Sequence, residues 1–343
     1  MVRTQRPAFL KGPLFDGLFL AGGAWLPVLV AIVAFQPEAP DWAFWLLAVF
    51  LFDPHLASTW VRLYGDPEER RAHPFLGFAL PLAIAAGLTG AALLLPLGVV
   101  GLGLYHWQWW HTMRQSYGVL RVYQGRRGAS RGVAPALGVA ALWAGPLAAL
   151  LFAWQEGTDD YLGFPKPGIE LPPAVLYAAL AVAGVVIAAH VGQLLVARLR
   201  GEPLPWPELV LLAGTTTFFL AGAVVLRDLY WDNLLLSLYH STQYVAFAGL
   251  FQERKASGSG FAGGVLAWAG KPLRVLRYGL VVIAIGLAYA GFSRVLLPGL
   301  VTSAFALVIV EWTVRIHHYM VDARIWRLRK MPAVSQLLGV RQS

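Results

Sequence analysis

Tyr105-His106-Trp107-Gln108-Trp109-Trp110-His111-Thr112-Met113-Arg114-Gln115-Ser116-Tyr117-Gly118 lies inside a largely apolar run of roughly residues 99–122. A run of that length is enough for one helix to cross a hydrocarbon core about 30 Å thick. Its polar side chains do not scatter. Gln108, His111, Gln115 and Gly118 fall on one helical stripe with Arg114 on its flank, because residues three, four and seven apart share a face. His106 lies about 140° around the same helix from His111. An imidazole in hydrocarbon is costly unless it meets a partner, a metal or water. The stretch therefore reads as a membrane-crossing helix that turns a polar face to a protein interior.

The rest of the chain supports that class. Its 343 residues are 58% hydrophobic and 13% charged, with mean hydropathy +0.60, whereas soluble domains carry about a quarter charged residues. The absence of cysteine excludes disulfides, thiolate metal sites, iron–sulfur clusters, cysteine nucleophiles and covalent c-type haem. The net charge of +9 comes from basic residues grouped beside apolar runs. The positive-inside effect accounts for that grouping, so no nucleic-acid partner is expected.

Apolar runs predict ten crossings, at roughly 14–35, 42–63, 75–96, 99–122, 133–154, 173–196, 207–226, 229–251, 276–293 and 299–322. The N-terminal run contains Asp16 and lacks a small-x-small cleavage site, so it reads as a retained first helix rather than a signal peptide. Basic residues flank alternate connections, as at Arg62, Arg70 and Arg71, at Arg126 and Arg127, and at Arg324 and Lys330, while Glu156, Asp159 and Asp160 mark an opposite one. Both termini are therefore expected in the cytoplasm of a multi-pass protein of a bacterial inner membrane. The expected architecture is one all-α polytopic domain over 1–343, with five antiparallel hairpins and the histidine-bearing even helices inside. Residues 252–275 read as a cytoplasmic loop with a short interfacial helix, and 323–343 as a basic cytoplasmic tail.

Seven of the eight histidines fall on the even spans; only His73 lies in a polar connection. His55 follows Asp53 and Pro54, a proline that bends the helix or frees a carbonyl, and shares a face with Ser58, Thr59 and Arg62. His240 has Ser237, Gln243 and Tyr244 on its side. His190 has Gln193, but is otherwise surrounded by Ala, Val and Gly and suits an ordinary core histidine. In the tenth span Glu311, Arg315, His318 and Asp322 form one stripe, with His317 about 100° away. A buried salt-bridge ladder is the structural alternative for that stripe.

The expected centre is a metal held by imidazoles from several helices, since neutral imidazole suits iron, copper and zinc. The candidate ligands are His55, His111, His240 and His318, with His106 and His317 as further cofactor-binding candidates. Arg114, Gln115 and Gln243 are candidates for positioning substrate or ligands, and Glu311 and Asp322 for moving protons. Such a centre suits a non-haem iron oxygenase or oxidoreductase acting on an apolar lipid, isoprenoid or quinone drawn from the membrane lipids. A b-type haem electron-transfer protein and a proton-coupled transporter are the alternatives.

The chain lacks the paired His-x-x-His-His boxes of membrane fatty-acid desaturases; Ile316-His317-His318 is a fragment of one. At the Pro54–His55 step it resembles, as a class, the bacterial integral-membrane carotenoid-cleaving dioxygenases of the Brp/Blh type. That analogy implies iron held by histidines on separate helices.

Overall fold

The computed structural model describes residues 9–35, 46–128, 132–161, 164–255, 274–301, 303–326 and 332–340. Of the expected loop and interfacial helix over 252–275, residues 256–273 lie outside the described residues, as do 327–331 and 341–343 of the basic tail. Among the described residues the longer helices are α1 Leu26–Phe35, α2 Asp53–Gly65, α3 Leu80–Leu94, α4 Leu97–Arg127, α5 Val133–Gln155, α6 Pro173–Leu199, α7 Trp206–Leu220, α8 Leu229–Lys255, α9 Arg274–Gly291 and α10 Ala304–Ile325. A short α11, Pro332–Leu337, follows.

Among the described residues five helical stretches are long and apolar enough to cross a membrane: Phe75–Leu94, Val133–Gln155, Pro173–Leu199, Trp206–Leu226 and Leu276–Leu300. A sixth is reached if the bent pair Pro13–Leu20 and Gly23–Phe35 is one span. The helices that miss this criterion include α2, α4, α8 and α10. Their polar faces lower their hydropathy, and those faces turn into the protein.

Of the apolar helices, α3, α6 and α9 are largely exposed, while α5 and α7 are about half buried and contribute to the core. α3 packs on α10, α9 on α2 and α8, and α7 on α5 and α8. α5 and α6, neighbours in sequence, pack on each other, but α9 and α3 find their main partners far away in sequence. One expectation needs correction here. The histidine-bearing α6 is not an inner helix: only 17% of its apolar window is buried, and it packs chiefly on α5. Its outward residues are mostly apolar, among them Val175, Tyr177, Val182, Val185, Leu195 and Leu199, so it has little polar face to hide.

The first apolar run is also not one straight helix. It bends by 64° between Leu20 and Gly23. Gly22 has φ +81°, and a Cβ there would stand 2.7 Å from both Phe218 and Tyr239, so only glycine fits. Asp16 anchors the segment before the bend by accepting from the Leu10 amide at 2.6 Å, the Lys11 amide at 3.0 Å and the Tyr123 hydroxyl at 2.9 Å.

A small β-hairpin departs from the all-helical expectation. β1, Thr158–Tyr161, pairs antiparallel with β2, Phe164–Lys166. The buried Lys166 ammonium donates to the carbonyls of Ala153 at 2.9 Å and Glu156 at 2.5 Å. These are the carbonyls that the end of α5 leaves without helical partners. The hairpin thus serves as a cap on α5.

Candidate metal centre

α2, α4, α8 and α10 each bring one histidine to a common point. His55, His111, His240 and His318 are all buried, and one ring nitrogen from each lies within 4.8 Å of the other three. Ring centroids are 4.2 Å apart for His55–His318, 4.6 Å for His55–His240, 4.8 Å for His111–His318 and 4.9 Å for His111–His240. These pairs meet edge to face. Metal–imidazole bonds of about 2.0–2.1 Å put the nitrogens of a tetrahedral set about 3.4 Å apart and a trans pair about 4.2 Å apart, so the rings would close in by roughly 0.6–1.4 Å to share one ion. The cluster can hold a metal.

The hydrogen-bond balance points the same way. Both ring nitrogens of His240 and Nε2 of His55 are buried without a hydrogen-bond partner. His55 also bonds the backbone of Phe52. With Nε2 unpartnered, this bond must come from Nδ1–H, which leaves Nε2 as a bare lone pair. Each unpaired buried polar group costs on the order of 1–3 kcal/mol. A cation at the centre, bound through one nitrogen of each ring, would remove most of that penalty.

On each of the four helices the residue four positions after the histidine lies below the ring: Thr59, Gln115, Tyr244 and Asp322. Three of these form a knot. As a carboxylate Asp322 can only accept, and its Oδ1 takes the Thr59 hydroxyl at 2.8 Å and the Tyr244 hydroxyl at 2.6 Å. Thr59 Oγ1 is then free to accept from His318 Nδ1–H at 2.7 Å, and Tyr244 accepts from Trp326 Nε1–H at 3.2 Å. This order of protons leaves the Nε2 lone pair of His318 facing His111 Nε2 at 3.1 Å. The other Asp322 oxygen is 3.5 Å from His318 Nε2 and 4.0 Å from His111 Nε2, close enough to offset positive charge at the centre. The Gln115 amide donates to the His240 carbonyl and to Gln243 Oε1, both at 2.9 Å, and so braces α8 against α4.

The residue three positions before each histidine lies on the opposite side. Phe52, Gln108, Ser237 and Arg315 line a cavity together with Asp53, Thr112, Ser241, Tyr319 and the rings of His55, His111 and His240. A common cavity at one end and a common knot at the other mean that the four helices run in the same direction past the centre. The cavity measures about 40 Å³, room for about three waters. Tyr319 stacks on His111 at 4.4 Å and forms part of its wall.

The structure separates the remaining candidates. His106 is not at the centre: its Nδ1–H donates to Leu102 O at 2.8 Å and its Nε2 accepts from Trp154 at 2.8 Å, so it has no free lone pair. His317 faces the other way and donates from Nε2 to Leu76 O at 2.7 Å. Both depart from their expected role because they lie on helix faces turned away from the cluster. Arg114 is exposed and stacks over Tyr117 at 4.8 Å. Gln243 is buried but donates to Leu20 O at 2.6 Å and Tyr239 at 2.9 Å rather than to a ring. Glu311 accepts from Tyr289 at 2.8 Å and lies 3.9 Å from Arg315, off the cavity lining. His190 is buried against Gly138 on the peripheral α6.

Sequence reasoning did not select Thr59, Tyr244, Tyr319 or Arg315. The signal was present in part, since Thr59, Tyr244 and Arg315 share helical faces with ligand candidates. Their mutual contacts cross up to 263 residues of sequence and could not be read from it.

Fold and site together define a helical protein with several helices long and apolar enough to span a membrane and a buried four-histidine cluster able to hold a metal. Compared with known proteins, the chain matches no family model, no curated protein and no solved structure.

Proposed function

We propose that the chain is a membrane-embedded metalloenzyme whose His55, His111, His240 and His318 hold one non-haem iron, with copper or zinc as the other ions this donor set suits. One observation carries the reading: four buried imidazoles converge within 4.8 Å, and three of their nitrogens have no hydrogen-bond partner. The side facing the cavity supplies a place for a small molecule beside the ion, which suits an oxidoreductase that uses O2. The knot of Thr59, Tyr244 and Asp322 would orient His318, as outer hydrogen bonds do for metal-bound histidines. An apolar lipid, isoprenoid or quinone would reach the site from the bilayer, with all ten helices crossing it and both termini in the cytoplasm.

The packing of the rings argues against b-type haem. A porphyrin needs a flat slot between two axial histidines, and here the other two rings and their helices fill the space between any pair. Metal analysis and an optical spectrum of detergent-purified protein test the proposal. About one non-haem metal per chain with no Soret band is expected. His111→Ala and His240→Ala should each lose the metal while keeping the helical circular-dichroism signal. A Soret band, or metal-free wild-type protein after expression with iron, copper and zinc supplied, would refute it.

A further inference from the structure

Arg315 reaches the cavity from one turn before His318, and its side chain is 25% exposed. Among the described residues its closest partner is the Glu311 carboxylate, at 3.9 Å from Nε, beyond hydrogen-bond range. The neighbouring charges are better matched. Asp53, also in the cavity wall, is held by Arg294 through two contacts of 2.5 and 3.1 Å, and Glu311 accepts the Tyr289 hydroxyl at 2.8 Å. Asp53 with Arg294, and Glu311 with Arg315, balance in charge. What remains unused is the hydrogen-bonding fork of Arg315, five donors in a plane.

We propose that this fork is a carboxylate-binding site and that the ligand of the cavity is a carboxylic acid whose charged end docks on Arg315 beside the histidine ring. The planar fork matches a carboxylate in a two-point contact. A volume of about 40 Å³ admits a carboxylate and little more, so the remainder of a longer ligand must lie outside. Gln108 and Ser237, partly exposed at the same level, give the mouth a polar rim. Beside it the exposed Trp107 leans on Tyr319 at 6.4 Å, an apolar surface on which a chain can lie. The inference deepens the metalloenzyme reading and rests on it for the fate of the bound acid, while binding itself requires only Arg315 and the cavity. Two sources share this chemistry: a fatty acid from the bilayer and a small water-soluble acid.

The test uses the full chain in lipid nanodiscs and radiolabelled palmitate, with unlabelled palmitate, acetate and hexadecanol as competitors. Saturable palmitate binding is expected, hexadecanol should compete at least tenfold less well than palmitate, and Arg315→Gln should weaken binding by tenfold or more. Arg315→Lys should lie between. Competition by palmitate but not acetate identifies the membrane-borne acid; equal competition by acetate identifies the soluble one. Palmitate that does not bind saturably while acetate also fails to bind, or hexadecanol that competes as well as palmitate on wild-type protein, overturns the proposal without recourse to any variant. Metal content measured on the same samples keeps the two readings apart, because loss of the histidine-bound metal does not remove the Arg315 fork.

Discussion

At the level of single residues, the site depends on proton positions that only the folded chain establishes. Thr59 accepts from His318 Nδ1–H while donating to Asp322, and so turns the Nε2 lone pair inward. Thr59→Val removes that acceptor at nearly constant volume. It should weaken metal retention by about 10–100-fold in a chelator competition, with little change in helix content. His106→Phe, by contrast, should leave metal content at the wild-type level, since His106 already spends both nitrogens on Leu102 and Trp154. Equal loss of metal in the two variants would contradict the assignment. Helical spacing already set His106 about 140° from His111, so the divergence of those two rings was legible in the sequence. The Thr59–Asp322 contact was not, because spacing along one helix says nothing about a partner 263 residues away.

The helices themselves were legible, because apolar runs of about 20 residues leave few other choices. Their breaks and neighbours were less so. Gly22 looks like any glycine in an apolar run, yet the rings of Phe218 and Tyr239 pack against it and the segment turns there by 64°. His190 is also a histidine on an even-numbered span, but α6 lies at the periphery. The approach of α9 to α2 was equally hidden. A Cβ at Gly286 would fall 2.6 Å from the Pro54 nitrogen, directly beside the turn that carries His55. Gly286→Ala therefore has to push α9 away from α2. A cost of about 1–3 kcal/mol is expected, read as a lower unfolding temperature in detergent, together with weaker metal retention. Unchanged unfolding would show that this contact is not as close as described.

Across the whole molecule, four helices bring imidazoles to one point and apolar helices pack on them. The interior then contains polar groups that the protein alone does not satisfy, at a cost of several kcal/mol for His55 and His240 together. A ligand that binds the folded state and not the unfolded one raises stability by mass action. Removing metal with a strong chelator should accordingly lower the unfolding temperature by several degrees, and restoring iron, copper or zinc should raise it again. A chain stabilised only by its apolar packing would show no such response. The most direct measurement is X-ray absorption at the edge of the metal that copurifies with the protein in detergent. Four imidazole nitrogens at about 2.0–2.2 Å around a single ion are predicted. An ion ligated mainly by oxygen or buffer, or the same spectrum from wild type and from a variant lacking His55 and His240, would contradict the four-histidine centre.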